Sequence, residues 1–275
     1  MGLQSNDGTT TFEKRMTVTM SGSAETASGL SFGATMNIRA NEGGADIEDS
    51  NTDTASIGGA WLSGARVHVA SNGFEVGMGN INGAIEYMPG VYSASAGLTG
   101  LGWGGLVTNT DATGSWGWDA YSSSGNGAEG VEVMYSAGAV SAHLSYTDTD
   151  LGSAADRTAA YISYTMGDWT VAAGAQDSTD ADEDKTIVTV GGKVGDFGVG
   201  IGYADNGGET KLALNGSATF GAATVSVYVS DEESASENPM GLGVSYDLGG
   251  ASVVAGVART VDATTRADMG IKFSF

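Results

Sequence analysis

Apolar and polar residues alternate at period two through most of this chain. They do so in runs of roughly ten residues that begin at tight glycine turns and end in acidic loops. The stretches YSAGAVSAHLSYTDTD, YTMGDWTVAAGAQDSTD, KVGDFGVGIGYADNGGE, TFGAATVSVYVSDEE and DLGGASVVAGVARTVD share that layout. Period two puts successive side chains on opposite faces of a strand. About ten residues is the length of a tilted strand that crosses a bilayer. Gly-containing turns of two to four residues join antiparallel neighbours.

The faces are consistent. Met16, Val18 and Met20 oppose Arg15, Thr17, Thr19 and Ser21. Leu30, Phe32, Ala34, Met36 and Ile38 oppose Ser31, Thr35, Asn37 and Arg39. The closing stretch ADMGIKFSF sets Met269, Ile271, Phe273 and Phe275 against Asp268, Gly270, Lys272 and Ser274. Connections are sorted as well. Short turns near 24–28, 71–73, 137–139, 167–168, 195–196, 221–222 and 249–250 alternate with longer segments at 42–55, 83–128, 148–157, 178–185, 204–209, 231–238 and 260–266. In an up-and-down meander every second connection lies at the same end. Long loops at one end and short turns at the other is the pattern of an outer-membrane barrel. Phe32, Phe74, Trp169, Phe197, Phe220 and Phe273 sit beside the short turns, where an interfacial aromatic girdle belongs. Fifteen strands run from residue 12 onward, and MGLQS is a sixteenth, cut short. Sixteen is even and wide enough to leave an aqueous channel. The expected fold is all-β: a 16-stranded antiparallel transmembrane β-barrel forming one domain over 1–275.

Composition narrows the alternatives. No run of about 18 apolar residues occurs, so no transmembrane helix is expected. There is no cysteine, which excludes disulfides and cysteine chemistry. MGLQSNDG has neither a basic nor an apolar leader region, so an exported chain stands here in processed form. The formal charge is −22, and no nucleic-acid partner is expected. The negative charge gathers in NEGGADIEDSNTD, DSTDADED and DEESASE, all at the long-loop end. These are solvated loops or sites for calcium, which takes six to eight oxygens. The candidate ligands are Asp46, Glu48, Asp49, Asp180, Asp182 and Asp184. No cofactor is required for a pore.

These residues resemble the general porins of Rhodobacter and its alphaproteobacterial relatives from about residue 12 to the end. The likeness is clearest in RMTVTMSGSAETASGLSFGATM, FGAATVSVYVSD, GLGVSYDLGGASVVAGVA and ADMGIKFSF. The resemblance implies a sixteen-stranded homotrimeric pore in the outer membrane of a Gram-negative bacterium, in contact with lipid and lipopolysaccharide. It also implies that Phe275 ends the strand read by the barrel-assembly machinery. Members of that family open with a strand of about a dozen residues, where this chain has MGLQS. Either residues precede Met1, or the seam is repaired between the second strand and the Phe275 strand.

Segment 83–128 is far longer than the other loops, and a loop of that length is functional or disordered. In the porin family the third long loop folds into the barrel and narrows it. Its acids here are Glu86, Asp111 and Asp119. Its aromatics include Tyr87, Tyr92, Trp103, Trp116 and Trp118, which either stack on solutes or pin the loop to the wall. Arg15, Arg39, Arg66 and His68 share the polar face of three consecutive strands. They form a basic patch that Glu86 faces, giving a transverse field, or each pairs with a nearby carboxylate such as Glu75 or Glu132 on the same face. The function read from this is a water-filled pore for ions and small hydrophilic solutes. The alternatives are a sugar-specific channel using the aromatic loop and a secreted calcium-binding β surface protein. An enzyme is not expected: His68 and His143 are mid-strand, and no G-x-S-x-G elbow is present.

Overall fold

The computed structural model describes residues 1–6, 8–41, 60–92, 95–101, 106–107, 117, 127–151, 155–261 and 263–274. Eighteen strands form a single sheet. They are β1 (Gly2–Asn6), β2 (Thr9–Glu13), β3 (Arg15–Glu25), β4 (Ser31–Asn41), β5 (Ala60–Leu62), β6 (Arg66–Ser71), β7 (Phe74–Ile81), β8 (Ala128–Ala137) and β9 (Val140–Thr147). They continue with β10 (Arg157–Met166), β11 (Trp169–Ser178), β12 (Lys185–Val194), β13 (Phe197–Asn206), β14 (Glu209–Phe220), β15 (Ala223–Glu232), β16 (Met240–Asp247), β17 (Ala251–Arg259) and β18 (Thr265–Phe273). Two crossings are split. β2 and β3 are one run broken at Lys14, and β5 and β6 both ladder to β4. The eighteen strands therefore make sixteen crossings, each antiparallel to its neighbours, and the ring closes where β1 meets β18.

That closure bears out the short sixteenth strand and sets aside the alternative of a seam between the second and last crossings. Gly2–Asn6 is a strand in its own right, paired to β18 from Gly2↔Gly270 to Asn6↔Arg266 and to β2 from Gly2↔Glu13 to Asn6↔Thr9. Among the described residues no ladder joins β2 or β3 directly to β18. The five residues of β1 ladder only the long-loop part of the seam. β3 pairs with β4 alone among the described residues, and all eleven of its residues are exposed.

A correction concerns 204–209, expected as a long loop. β13 and β14 run on to Asn206 and Glu209 and meet in a two-residue turn. Gly207 and Gly208 take φ of 64° and 94°, a region that costs an L side chain but not glycine.

Alternation sorts the wall as the sequence requires. On β12, Lys185, Ile187 and Thr189 are buried inward, while Thr186 and Val188 between them are exposed outward. Outward residues from Leu3 round to Phe273 are exposed and apolar, and the six aromatics beside the short turns are all among them. A protein dissolved in water does not leave such a continuous apolar band bare. A bilayer covers it.

The segment after β7 turns inward. A short helix, α1 (Gly83–Tyr87), packs on β8 to β11. Ile85, Met88, Val91, Leu106 and Val107 bury themselves against lumen-facing Ala159, Ala172, Ile187, Ala204 and Ala213. Each buried aliphatic side chain contributes about 1.5–3 kcal/mol. The small wall residues let the backbone come close. At Gly202 a Cβ would lie 2.1 Å from Leu106 Cδ1.

Candidate functional site

Hydrogen bonds fasten the inward segment along an arc of wall. The Ala84 N–H donates to Ser145 Oγ on β9 at 2.8 Å, and Thr189 Oγ1 on β12 donates to the Pro89 carbonyl at 2.6 Å. Asn206 Nδ2 on β13 donates to the Leu106 carbonyl at 2.8 Å, and the Tyr228 hydroxyl on β15 donates to the Leu101 carbonyl at 3.2 Å. At the far end the Asp268 carboxylate on β18 takes three donors: Leu98 N–H at 2.8 Å, and Thr99 N–H and Oγ1 at 2.7 Å each. The segment thus lies against β8 to β18. The rest of the ring is β2 to β7.

That wall carries the predicted basic residues, but they do not form an open basic patch. Arg66 is clasped between two carboxylates. Its Nη2 donates to Glu75 on β7 at 2.5 Å, and its Nε donates to Glu132 on β8 at 2.5 Å. Glycine permits the second bond. Gly77 lies directly across from Glu132, and a Cβ there would meet Arg66 Nη2 at 2.6 Å and Glu132 Oε1 at 2.9 Å. The chain of charge continues to β9, where His143 Nε2 lies 2.9 Å from the second oxygen of Glu132; both side chains are fully buried. Tyr87 and Tyr161 flank the His143 ring at centroid distances of 5.4 and 5.9 Å. Arg66 Nη1 lies 3.3 Å from His68 Nδ1.

The other candidates fall elsewhere. Arg39 is 3% exposed. The Arg15 side chain is 44% exposed and lies 3.5 Å from Glu13. Glu86 accepts the Tyr92 hydroxyl within the segment itself. Tyr87 is thus packing on the wall through His143, and Tyr92 is tied to Glu86. Asp111, Asp119, Trp103, Trp116 and Trp118 lie outside the described residues, as do Asp46, Glu48, Asp49 and Phe275. Asp180, Asp182 and Asp184 do not converge on a common point. Asp180 accepts the Asp182 N–H, Asp184 accepts the Ser178 N–H, and no three metal-binding side chains gather among the described residues.

Sequence reasoning missed the partners of the rim acids. Glu183 is not merely solvated. Arg157 grips it through two hydrogen bonds of 2.8 Å, and Ser178 adds a third at 2.9 Å. Burial acts to raise the Glu183 carboxyl, but the Arg157 and Ser178 hydrogen bonds outweigh it and hold the group below the usual carboxylate range. Glu232 pairs with Lys211 at 2.9 Å, with both side chains fully buried. The signal was available, because Lys211 and Glu232 fall on the polar parity of adjacent strands and are direct cross-strand partners. Asp268 also sat in plain view, as the lone acid on the polar face of the closing strand.

The chain is similar to known proteins over its whole length. A family model described as Gram-negative porin matches residues 2–269. A porin from Fuscovulum blasticum is 29% identical over 97% of this chain and 92% of its own length. One from Rhodobacter capsulatus is 30% identical over 100% and 97%. A triple mutant of Rhodopseudomonas blastica porin superposes with a TM-score of 0.82 at 23% identity, covering 100% of this chain and 96% of the other. The closed sixteen-crossing ring, the apolar outer band and the polar lumen narrowed by an inward segment agree with those matches. The chain belongs to the Gram-negative porin family, and it is an outer-membrane β-barrel through which ions and small hydrophilic solutes diffuse passively.

Proposed function

We propose that the narrowest point lies between the inward segment and the wall of β3 to β7, and that solutes are sorted there by size and by a weak transverse field. Arg66, His68 and Glu75 supply the wall side of that eyelet, and Glu132 backs it. The observation that carries this reading is the clasp on Arg66. One guanidinium between two carboxylates leaves no net positive charge, so the field that unpaired arginines would create is largely cancelled. Acidic loops at the long-loop rim then tip the pore toward cations.

The protein carries out no reaction. Among the described residues neither imidazole hydrogen-bonds a hydroxyl, and His143 is spent on Glu132. No cofactor is needed, and chelation with EDTA should leave conductance unchanged. The homotrimer and the lipopolysaccharide contact implied by the family resemblance complete this reading.

Single-channel recording in a planar bilayer, with reversal potentials in a salt gradient, tests it. Large steps in groups of three with weak cation preference are expected. Strong anion selectivity would show that the wall is not neutralised. Silence from well-folded protein would remove the pore itself.

A further inference from the structure

Beneath the far end of the inward segment, on the short-turn side, lies a cavity of about 210 Å³ whose lining includes Gly97, Thr224, Ser226, Gly243, Ser245 and Lys272. Thr224 Oγ1 shares a hydrogen bond with Thr219 Oγ1 at 3.1 Å, but other polar groups of the lining have no partner among the described residues. Lys272 makes no ion pair or hydrogen bond among the described residues, and neither do the side chains of Ser226 and Ser245 or the Gly97 N–H. Two of these donors converge on one point. A Cβ built on Gly243 would lie 2.8 Å from Ser226 Oγ and 3.3 Å from Gly97 N, so the missing side chain leaves a cradle between them.

The neighbouring acids are already committed. Asp268, four residues before Lys272 on the same face, has its oxygens filled by Leu98 and Thr99. Asp247, in the same row two strands away, accepts the Gly249 N–H. An ammonium, two hydroxyls and a backbone N–H around an open floor match the acceptor-only surface of a small oxyanion.

We propose that this cavity is an oxyanion subsite on the short-turn side of the constriction, taking inorganic phosphate or a solute that carries a phosphate group. The proposal rests on the pore reading, because a solute reaches the cavity through the lumen. Lys272 supplies the attraction, against the carboxylates of Asp268 and Asp247, and the Ser226 and Gly97 donors select an oxygen-rich anion over chloride.

The test uses purified full-length chain with inorganic phosphate as probe. In single-channel recordings at fixed chloride, phosphate should reduce current, and Lys272→Gln should raise the half-blocking concentration about fivefold, the scale of one exposed charge-assisted contact. Gly243→Ala, which fills the cradle, should do likewise. Lys193→Gln, a lysine in the same vestibule but outside the cavity, should not. In parallel, ³¹P line broadening of phosphate by protein in detergent micelles reads binding without conduction. Broadening that is lost in Lys272→Gln and kept in Lys193→Gln supports the subsite. Equal phosphate block and equal broadening in all variants would overturn it while leaving the pore intact. Absent conductance with intact broadening would instead count against the pore and keep the site.

Discussion

At the residue scale, Glu132 is the side chain on which the lumen wall depends most. It is fully buried and bridges Arg66 to His143. Neutralising it weakens the charge-assisted bonds from Arg66 and His143, which contribute about 1.5–3 kcal/mol each, while Arg66 keeps Glu75. Glu132→Gln should therefore lower the thermal unfolding midpoint in micelles clearly, while Glu13→Gln, beside the exposed Arg15, should leave it nearly unchanged. The polar parity of Arg66, Glu75 and Glu132 was legible in the sequence. Their mutual distance was not, because it depends on Gly77 letting a guanidinium cross one strand to reach the next. Glu183 makes a prediction in pH. Its carboxyl is depressed in the folded state, so its stabilisation is present above the unfolded carboxylate pKa and is lost as pH falls through the folded one. The unfolding midpoints of wild type and Glu183→Gln should differ by a constant amount near neutrality. They should converge below about pH 4. A gap that stayed constant down to pH 2 would mean that Arg157 does not hold an ionised partner.

At the scale of the element, the inward segment is fixed more by its receiving surface than by its own sequence. Among its described residues only α1 is helical, and α1 is five residues long. Alanines and glycines on the wall, with Ser145, Thr189 and Asn206 aimed inward, define where it lies. That is why its length marked it as exceptional while its aromatics misled: Tyr87 and Tyr92 read equally well as a solute platform and as packing. Asp268 holds the far end with three hydrogen bonds. Asp268→Ala should free residues around Leu98 and Thr99, seen as increased open-channel current noise with little change in barrel stability. Unchanged noise would show that the apolar contacts around Ala96 and Leu101 suffice.

At the scale of the whole molecule, the sequence made the barrel plain because lipid imposes a rule at every crossing: apolar outward, polar inward, no free backbone groups. Strand count and face assignment follow from that rule. The seam does not, since five residues of β1 alternate no better than many loops do. β3 is the one crossing where the described wall leaves an edge unladdered, and hydrocarbon makes such an edge costly.

The arc fastened to the inward segment has a further, mechanical consequence. Among the described residues the ring is double-walled from β8 to β18 and a single ply from β2 to β7. A double layer resists bending far more than a single one, so a sideways squeeze flattens the thin arc first. The proposed eyelet lies on that side. The aperture should therefore respond to the surrounding lipid along one axis, and conductance should fall as the lateral pressure of the bilayer is raised. A conductance independent of lipid composition would mean that hydrogen-bonded strands alone are stiff enough to set the width.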